Sequence, residues 1–369
     1  MTRQKLKFIT YPLSFFYGLI VELRNFLFDS GILSSQKFRI PIISVGNITV
    51  GGTGKTPHTE LLLQTLSEEV KVAMLSRGYK RGTKGFYLAN EQSNSQNIGD
   101  EPYQMFLKFP KVKIAVDNNR CHGIETLLKK EFGPDLNAII LDDAYQHRYV
   151  SPGINILLID YNRPITKDKM LPYGNLREPA HNKDRANIVI VTKCPIDAKP
   201  IDYRIITKDL DLRPYQTLYF TTYEYKTLYP VFDNAEIEQL EIKDLTTKNP
   251  DILLFTGIAS QNELADFLRA NSNSLTSLQY EDHYKFTAID LNSIAEKFEN
   301  INSANKLLIT TEKDAARLLS LPNIPEIIVK NLYCIPIKIK FLFEKEKDFK
   351  KQILDYVRKN TTNNLISKK

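Results

Sequence analysis

The sequence predicts an α/β protein: a mainly parallel sheet domain and a smaller α/β domain, joined by a two-stranded antiparallel linker. Three observations carry that expectation. Apolar, β-branched runs alternate with helical segments through the first half of the chain. A glycine-rich stretch, Gly51-Gly52-Thr53-Gly54-Lys55-Thr56, separates one such run from a helical pattern. Past residue 212 the texture shifts to alternating segments rich in Tyr, Thr, Ile and Lys.

The length, 369 residues, suits two α/β units. An apolar fraction of 42% supports packed cores, and 25% charged residues suits a soluble surface. The net charge of +7 fits anionic partners in general and does not separate nucleotide, phospholipid and nucleic acid. Cys121, Cys194 and Cys334 are far apart, form no C-x-x-C pair and point to a reducing compartment.

Residues 1–30 come first. Arg3, Lys5 and Lys7 precede an aromatic, apolar run from Phe8 to Val21, 14 residues, where a bilayer-spanning helix takes roughly 20. A cleaved signal peptide lacks its small-x-small site here, and Glu22 and Arg24 follow at once. Helical spacing groups Phe8, Pro12, Phe15, Phe16, Leu19, Leu23 and Phe26. Two readings fit: a helix lying in a membrane interface, or one packing its aromatic face on its own domain.

Residues 31–212 read as the main domain. The runs Ile40–Val45, Val72–Leu75, Val112–Val116, Ala138–Leu141, Ile154–Ile159 and Ile188–Val191 are apolar throughout. That means burial on both faces, hence a largely parallel sheet with crossover helices. Segments Thr217–Val231 and Asn331–Phe343 alternate as half-exposed antiparallel strands do. They place the linker at 213–245 and 329–345, with the smaller α/β domain, 246–328, inserted between them. Residues 346–369 give a charged helix and a polar Asn/Lys tail without expected order.

The stretch Gly51–Thr56 has the chemistry of a phosphate loop. Backbone amides of a glycine-rich turn at a helix N-terminus cradle phosphate oxygens. Gly51, Gly52 and Gly54 permit close approach, Lys55 neutralises phosphate charge, and the Thr56 hydroxyl suits Mg²⁺. The general pattern wants glycine where Thr49 stands; Gly51 and Gly52 restore the freedom. Thr49 and Gly51 through Thr56, Thr53 included, are the expected nucleotide-binding residues of a P-loop NTPase-like domain. The apolar strand ending in Asp142-Asp143 has the form of a Walker B element, whose carboxylates reach the same crevice. Either aspartate suits the metal.

Four segments together, VGNITVGGTGKTP, LDDAYQHR, LPYGNLREP and TTEKDAARL, resemble the signatures of the tetraacyldisaccharide 4'-kinase family, the lipid A 4'-kinases of Gram-negative bacteria. SRGYKR and GDEP fit between them, and the resemblance spans roughly residues 5 to 320. Ala144, Tyr145 and Tyr173-Gly174-Asn175 depart from the usual pattern without removing a functional side chain.

The resemblance implies ATP- and Mg²⁺-dependent phosphorylation of the 4'-hydroxyl of a tetraacyldisaccharide 1-phosphate in lipid A biosynthesis. It implies two α/β domains with a two-stranded linker, and an N-terminal helix touching the cytoplasmic face of the inner membrane. Lys55 is assigned to the β/γ-phosphates, Thr56, Asp142 or Asp143, and Glu178 to the metal, and Arg177 to phosphate or leaving-group charge. By resemblance Asp100 is the base and His283 its partner across an interdomain cleft. On residues alone, Asp100 reads as a helix N-cap, His283 as a loop histidine, and Arg177-Glu178 as a surface ion pair. Arg77 suits the substrate 1-phosphate or lipid headgroups, or is an exposed basic turn; His147 joins it as a substrate-binding candidate. Lys313 and Asp314 match the family without an assigned role. A P-loop GTPase or metal-insertion-type NTPase is the alternative, with Val191–Asp197 faintly like a guanine-reading segment. A monomer without nucleic-acid partner is expected.

Overall fold

In the computed structural model, residues 3–132 and 135–366 are described, without side chains for 3–9 and 361–366. Two sheets organise the chain. The first has nine strands, in the order Ile337–Phe341, Thr217–Tyr225, Ile188–Thr192, Ile154–Asp160, Ile42–Gly46, Ala138–Asp142, Val72–Ser76, Lys113–Val116 and Tyr87–Leu88. Its interior pairings are parallel, as in Ile43 opposite Ile140 and Ile43 opposite Ile154. The chain reverses order about Ile42–Gly46, so a crevice opens at the carboxyl ends of the strands there. The glycine-rich loop leaves from that point.

The segments Thr217–Tyr225 and Ile337–Phe341 pair antiparallel, Tyr223 opposite Ile339, and together extend the nine-stranded sheet at its edge. The second sheet has five strands, in the order Ser274–Gln279, Asp251–Thr256, Lys306–Thr311, Leu332–Ile335 and Tyr229–Pro230. Ser274–Gln279 carries no apolar pattern, because it is an exposed edge strand.

The N-terminal helix Arg3–Asp29 packs by its polar side. The Ser14 hydroxyl donates to the Met170 carbonyl at 2.7 Å, Tyr17 to the Arg177 carbonyl at 3.0 Å, and Asn25 to Glu178 at 3.3 Å. Its aromatic side faces outward: Tyr11, Phe15, Phe16, Leu19, Ile20, Leu23 and Phe26 are each at least half exposed. The aromatic face therefore does not pack on its own domain. The side chains of Arg3, Lys5, Lys7 and Phe8 lie outside the described residues.

The tail expected without order is helical to Ile366, and 367–369 lie outside the described residues. The helix Glu346–Ile366 closes the core. Phe349, Ile353 and Val357 are buried against the sheet with Leu62, Leu66 and Tyr219, and the Tyr356 hydroxyl donates to the Ile42 carbonyl at 3.4 Å. Ile353→Ala should destabilise the protein by about 2–5 kcal/mol, the usual cost of a cavity at a fully buried site. A lowered urea midpoint with unchanged slope is the expected readout.

Candidate active site

The loop Asn47–Gly54 has its carbonyls tied away from the crevice. Asn47 O accepts from Gln146 at 2.6 Å, Ile48 O from the Arg177 amide at 2.8 Å, and Val50 O from Arg163 at 3.2 Å. Thr53 O accepts from the Thr192 hydroxyl at 3.0 Å. Gly54 O faces His58 Nδ1 at 2.7 Å, so Nδ1 carries the proton and Nε2 accepts from Thr221. Burial pushes His58 down to about 4, which keeps it neutral. The amides of Gly52, Gly54, Lys55 and Thr56 have no protein acceptor among the described residues. A turn with carbonyls engaged and amides open at the start of the helix Lys55–Ser67 is an anion cradle.

Gly51 and Gly54 have φ of 93° and 82°, which L side chains resist, and a Cβ on Gly54 would sit 2.5 Å from the Tyr223 hydroxyl. Thr49 is buried, bridges Leu176 antiparallel and is not among the residues lining the crevice. Its part is to pair the loop with the Arg177 segment, and Thr53, also buried, accepts from Asn47 at 2.7 Å.

The two aspartates differ. Asp142 is buried, its oxygens taken by the Thr59 and Ser76 hydroxyls at 3.0 and 3.1 Å. Burial, then the charges of Asp143 and Glu101, push it up to about 6. Asp143 adopts a left-handed φ of 46° and turns toward Lys55 at 3.6 Å and Arg177 at 3.8 Å. Arg177 and Glu178 are not a surface ion pair. Glu178 is buried, with Oε2 held by Arg185 at 2.8 Å and by Asn25.

Among the described residues no three His, Cys, Asp or Glu side chains form a metal-binding group by themselves. Asp143 Oδ1 and Glu178 Oε1 are nevertheless buried oxygens without a hydrogen-bond donor, in the wall that Thr56 also lines. Such a set fits Mg²⁺, which takes one or two carboxylates and completes its shell with water and phosphate.

Across the crevice, His283 Nδ1 meets Asp100 Oδ2 at 2.9 Å. Asp100 opens the helix Asp100–Lys108 as its first residue, with Gly99 at the cap, so it caps nothing. Burial alone would raise its carboxyl, but the His283 hydrogen bond, then Arg317 and Lys313, hold it down at about 2. His283 has a left-handed φ of 61°, a strained backbone typical of functional positions. It lines the crevice while Asp100 stands behind it. With its Nδ1 proton given to Asp100, Nε2 faces Lys313 Nζ at 3.3 Å as an acceptor.

These groups share one cavity of about 1100 Å³ between the two sheets. Arg77 and His147 line one end together with Arg24 and Arg120. Burial, then Arg120, Arg24 and Arg77, push His147 down to about 4. Arg120 is buried and braced on the Asp117 and Asp142 carbonyls at 2.9 and 3.3 Å. Arg24, Arg120 and Arg317 escaped the sequence reading. Arg317 was legible only as part of TTEKDAARL.

The model of the family described as "Tetraacyldisaccharide-1-P 4'-kinase" matches residues 6–358. The chain is similar to the tetraacyldisaccharide 4'-kinase of Bacteroides thetaiotaomicron, 50% identical over 97% of this chain and 95% of that protein. The corresponding Flavobacterium johnsoniae protein is 42% identical over 96% and 98%. In three dimensions it is similar to LpxK from Aquifex aeolicus, solved in complex with ATP. The TM-score is 0.72 and the identity 27%, over 95% of this chain and 99% of that one.

Gly54→Ala should weaken ATP binding at least tenfold, since a side chain there costs roughly 1–2 kcal/mol in backbone strain before the Tyr223 clash. The ATP-induced rise in melting temperature measures it, and should shrink accordingly.

Proposed function

The chain belongs to the tetraacyldisaccharide-1-P 4'-kinase family, and from that premise we propose how its cavity carries the reaction. The enzyme transfers the γ-phosphoryl group of ATP to the 4'-hydroxyl of a tetraacyldisaccharide 1-phosphate, a lipid A precursor. The observation that carries the residue assignments is the joining, in one cavity, of an open-amide phosphate cradle and the His283–Asp100 pair.

Phosphoryl transfer needs positioning and charge neutralisation more than covalent chemistry. The amides of Gly52, Gly54, Lys55 and Thr56 and the Lys55 ammonium hold the polyphosphate. Because the Arg177 amide is bonded to the Ile48 carbonyl, Arg177 keeps a fixed relation to the loop and meets charge on the transferring group. Thr56, Asp143 and Glu178 are the residues we assign to Mg²⁺, which when bound neutralises charge on the phosphates. Asp142, with both oxygens engaged by hydroxyls, anchors the strand end instead.

The hydroxyl proton goes to the Asp100–His283 pair. An Asp100 carboxyl held at about 2 is ionised at any working pH but is a weak base. Asp100 stands behind His283, so the proton enters the pair at the crevice-facing imidazole, and does so as the phosphoryl group arrives rather than beforehand, in keeping with a loose transition state. Arg24, Arg77 and Arg120 around a neutral His147 offer fixed positive charge to the substrate 1-phosphate.

No helix of the described residues is long and apolar enough to cross a membrane. We assign the exposed aromatic face of residues 10–26 to the lipid interface at the cytoplasmic face of the inner membrane, where the acyl chains of the substrate remain. Two observations support this assignment: the outward aromatics, and the same helix contributing Tyr17, Val21 and Arg24 to the cavity. The domain division at 31–212, 246–328 and the linker segments is likewise our reading, supported by the two sheets. The guanine-reading alternative is disfavoured by the family, and Lys193 of that segment is paired with Asp160 at 3.0 Å.

Incubation with ATP, Mg²⁺ and a tetraacylated glucosamine disaccharide 1-phosphate should give a new phosphate monoester on the distal sugar. His283→Ala and Asp143→Asn should each lower kcat by roughly 10²-fold or more, with ATP affinity changed far less for His283→Ala; wild-type turnover in either defeats its assignment. Phe16→Glu combined with Leu19→Glu should abolish binding to anionic phospholipid vesicles, read by co-sedimentation, while the fold is kept. Vesicle binding equal to wild type would remove the interface assignment.

A further inference from the structure

The second sheet sends one buried cation back to the proton-handling pair. Arg317 lies on the helix Glu312–Leu318, which packs against the helix Asp100–Lys108 of the first sheet's domain. Its side chain is only 6% exposed. Nε donates to Asp100 Oδ2 at 2.9 Å and a terminal nitrogen stands 2.8 Å from the same oxygen. The other terminal nitrogen donates to Asp314 Oδ1 at 2.6 Å and to the Gly257 carbonyl at 2.7 Å.

Asp314 is wholly buried and is itself fixed, Oδ2 accepting from the Gly257 amide at 3.0 Å and the Thr311 hydroxyl at 2.7 Å. Gly257 in turn accepts the His283 amide at 3.3 Å. One guanidinium thus ties the strand end at Gly257, the helix start at Asp314 and the carboxylate of the other domain into a single unit. A guanidinium is planar and permanently charged, and its fork fixes direction as well as charge.

We propose that Arg317 is a positioning residue for the phosphoryl-transfer step: held by Asp314 and Gly257, it orients the Asp100 carboxylate toward His283 and keeps it ionised while the two domains are packed together. The inference rests on the Asp100–His283 reading above. Its logic is that of a buried charge pair, in which removing one partner leaves the other uncompensated. It gives TTEKDAARL a purpose: Asp314 holds Arg317, and Lys313 holds the outer side of the pair, bonded to Glu101 at 2.8 Å and facing His283 Nε2.

Charged groups around Asp100 fix the sign of the pH effect. His283, Arg317 and Lys313 face it, Glu101 and Asp282 flank His283 at 3.7 and 3.8 Å, and Asp314 stands behind Arg317. Taking away Arg317 removes a positive neighbour, so the Asp100 carboxyl rises and protonates at higher pH. The acid side of the rate profile then moves upward.

The test compares wild type, Arg317→Met, Arg317→Lys and Asp100→Asn as full-length chains with ATP, Mg²⁺ and the tetraacyldisaccharide 1-phosphate, each checked for fold by circular dichroism. Arg317→Met should lose roughly 10- to 100-fold in kcat, at or below the lower end of the roughly 10²–10⁴ that a positioned base supplies. Its KM for ATP should stay within about twofold, and its acid limb should lie at higher pH than that of wild type. Arg317→Lys should recover part of the rate and return the limb toward wild type. Should Arg317→Met fail to fold, the Arg317→Lys profile alone decides: a limb between wild type's and neutrality supports the role, and one coincident with wild type's overturns it. A loss equal at every pH, or wild-type kcat in Arg317→Met, also overturns it. Wild-type turnover in Asp100→Asn would instead remove the base reading on which the inference stands.

Discussion

The rest of the site depends on one accounting constraint in the loop Asn47–Gly54. An anion cradle needs its amides open, so the carbonyls of the same peptides must find donors elsewhere. Most find them in distant parts of the chain, at Gln146 after the aspartate strand, the Arg177 amide, Arg163 and Thr192, while Gly54 turns to His58 one helical turn on. Each donor belongs to an element that must then sit beside the loop. Satisfying the backbone therefore carries Arg177 to the loop, and brings the strand bearing Thr221 under the helix. The wall of the cavity is in this sense a by-product of where the loop's carbonyls go.

A second constraint acts between the domains. Charged side chains that come out of water must meet opposite charge, and here the partners lie across the domain boundary. Lys108 bridges Glu60 of the loop helix and Glu312 of the second domain, and Ile337 of the edge strand donates its amide to Glu312 at 3.5 Å. Burial, then the Glu312 charge, raise Glu60 to about 7. Opening the cleft would re-expose these groups together with Asp100 and Arg317, so their packing favours a closed arrangement that limits water at the phosphates.

Much of the fold was legible because buried parallel strands announce themselves as unbroken apolar runs, and Ile42–Gly46, Ala138–Asp142 and Ile188–Thr192 do so. Ser274–Gln279 did not, since an exposed edge strand has no core to encode. Within the site, Lys55 and the Asp142-Asp143 pair could be named in advance because their chemistry is local to short motifs, whereas Arg177, Asp100 and His283 were named only through the family resemblance. What the motifs could not say was which atoms are already engaged. Asp142 and Asp143 are adjacent and identical in type, and only the hydroxyls of Thr59 and Ser76, both far away in sequence, separate anchor from open carboxylate. Thr49 looked like a ligand-facing residue because the pattern there normally faces the ligand, whereas pairing with Leu176 turns it inward. Arg120 was invisible for the same reason: its value lies in burial and in the contact with the Asp142 carbonyl, which a local brace on Asp117 steadies.

On the proposed interface reading, the N-terminal helix would join membrane contact and chemistry in one arrangement. An ordinary surface helix buries its apolar side, and this one buries Ser14 and Asn25, half-buries Tyr17, and of its aromatic rings buries Phe28. Those polar contacts end on Met170, the Arg177 carbonyl and Glu178, the last two being the segment assigned to transferring charge and to metal. The helix cannot shift along its axis without disturbing them. Arg148 adds to the constraint by donating to the Asn25 carbonyl at 3.0 Å while its own chain follows His147. A surface that attracts the aromatic side thus bears directly on the geometry beneath. On the interface assignment proposed above, the surface that delivers the substrate would also brace the residues proposed to act on it.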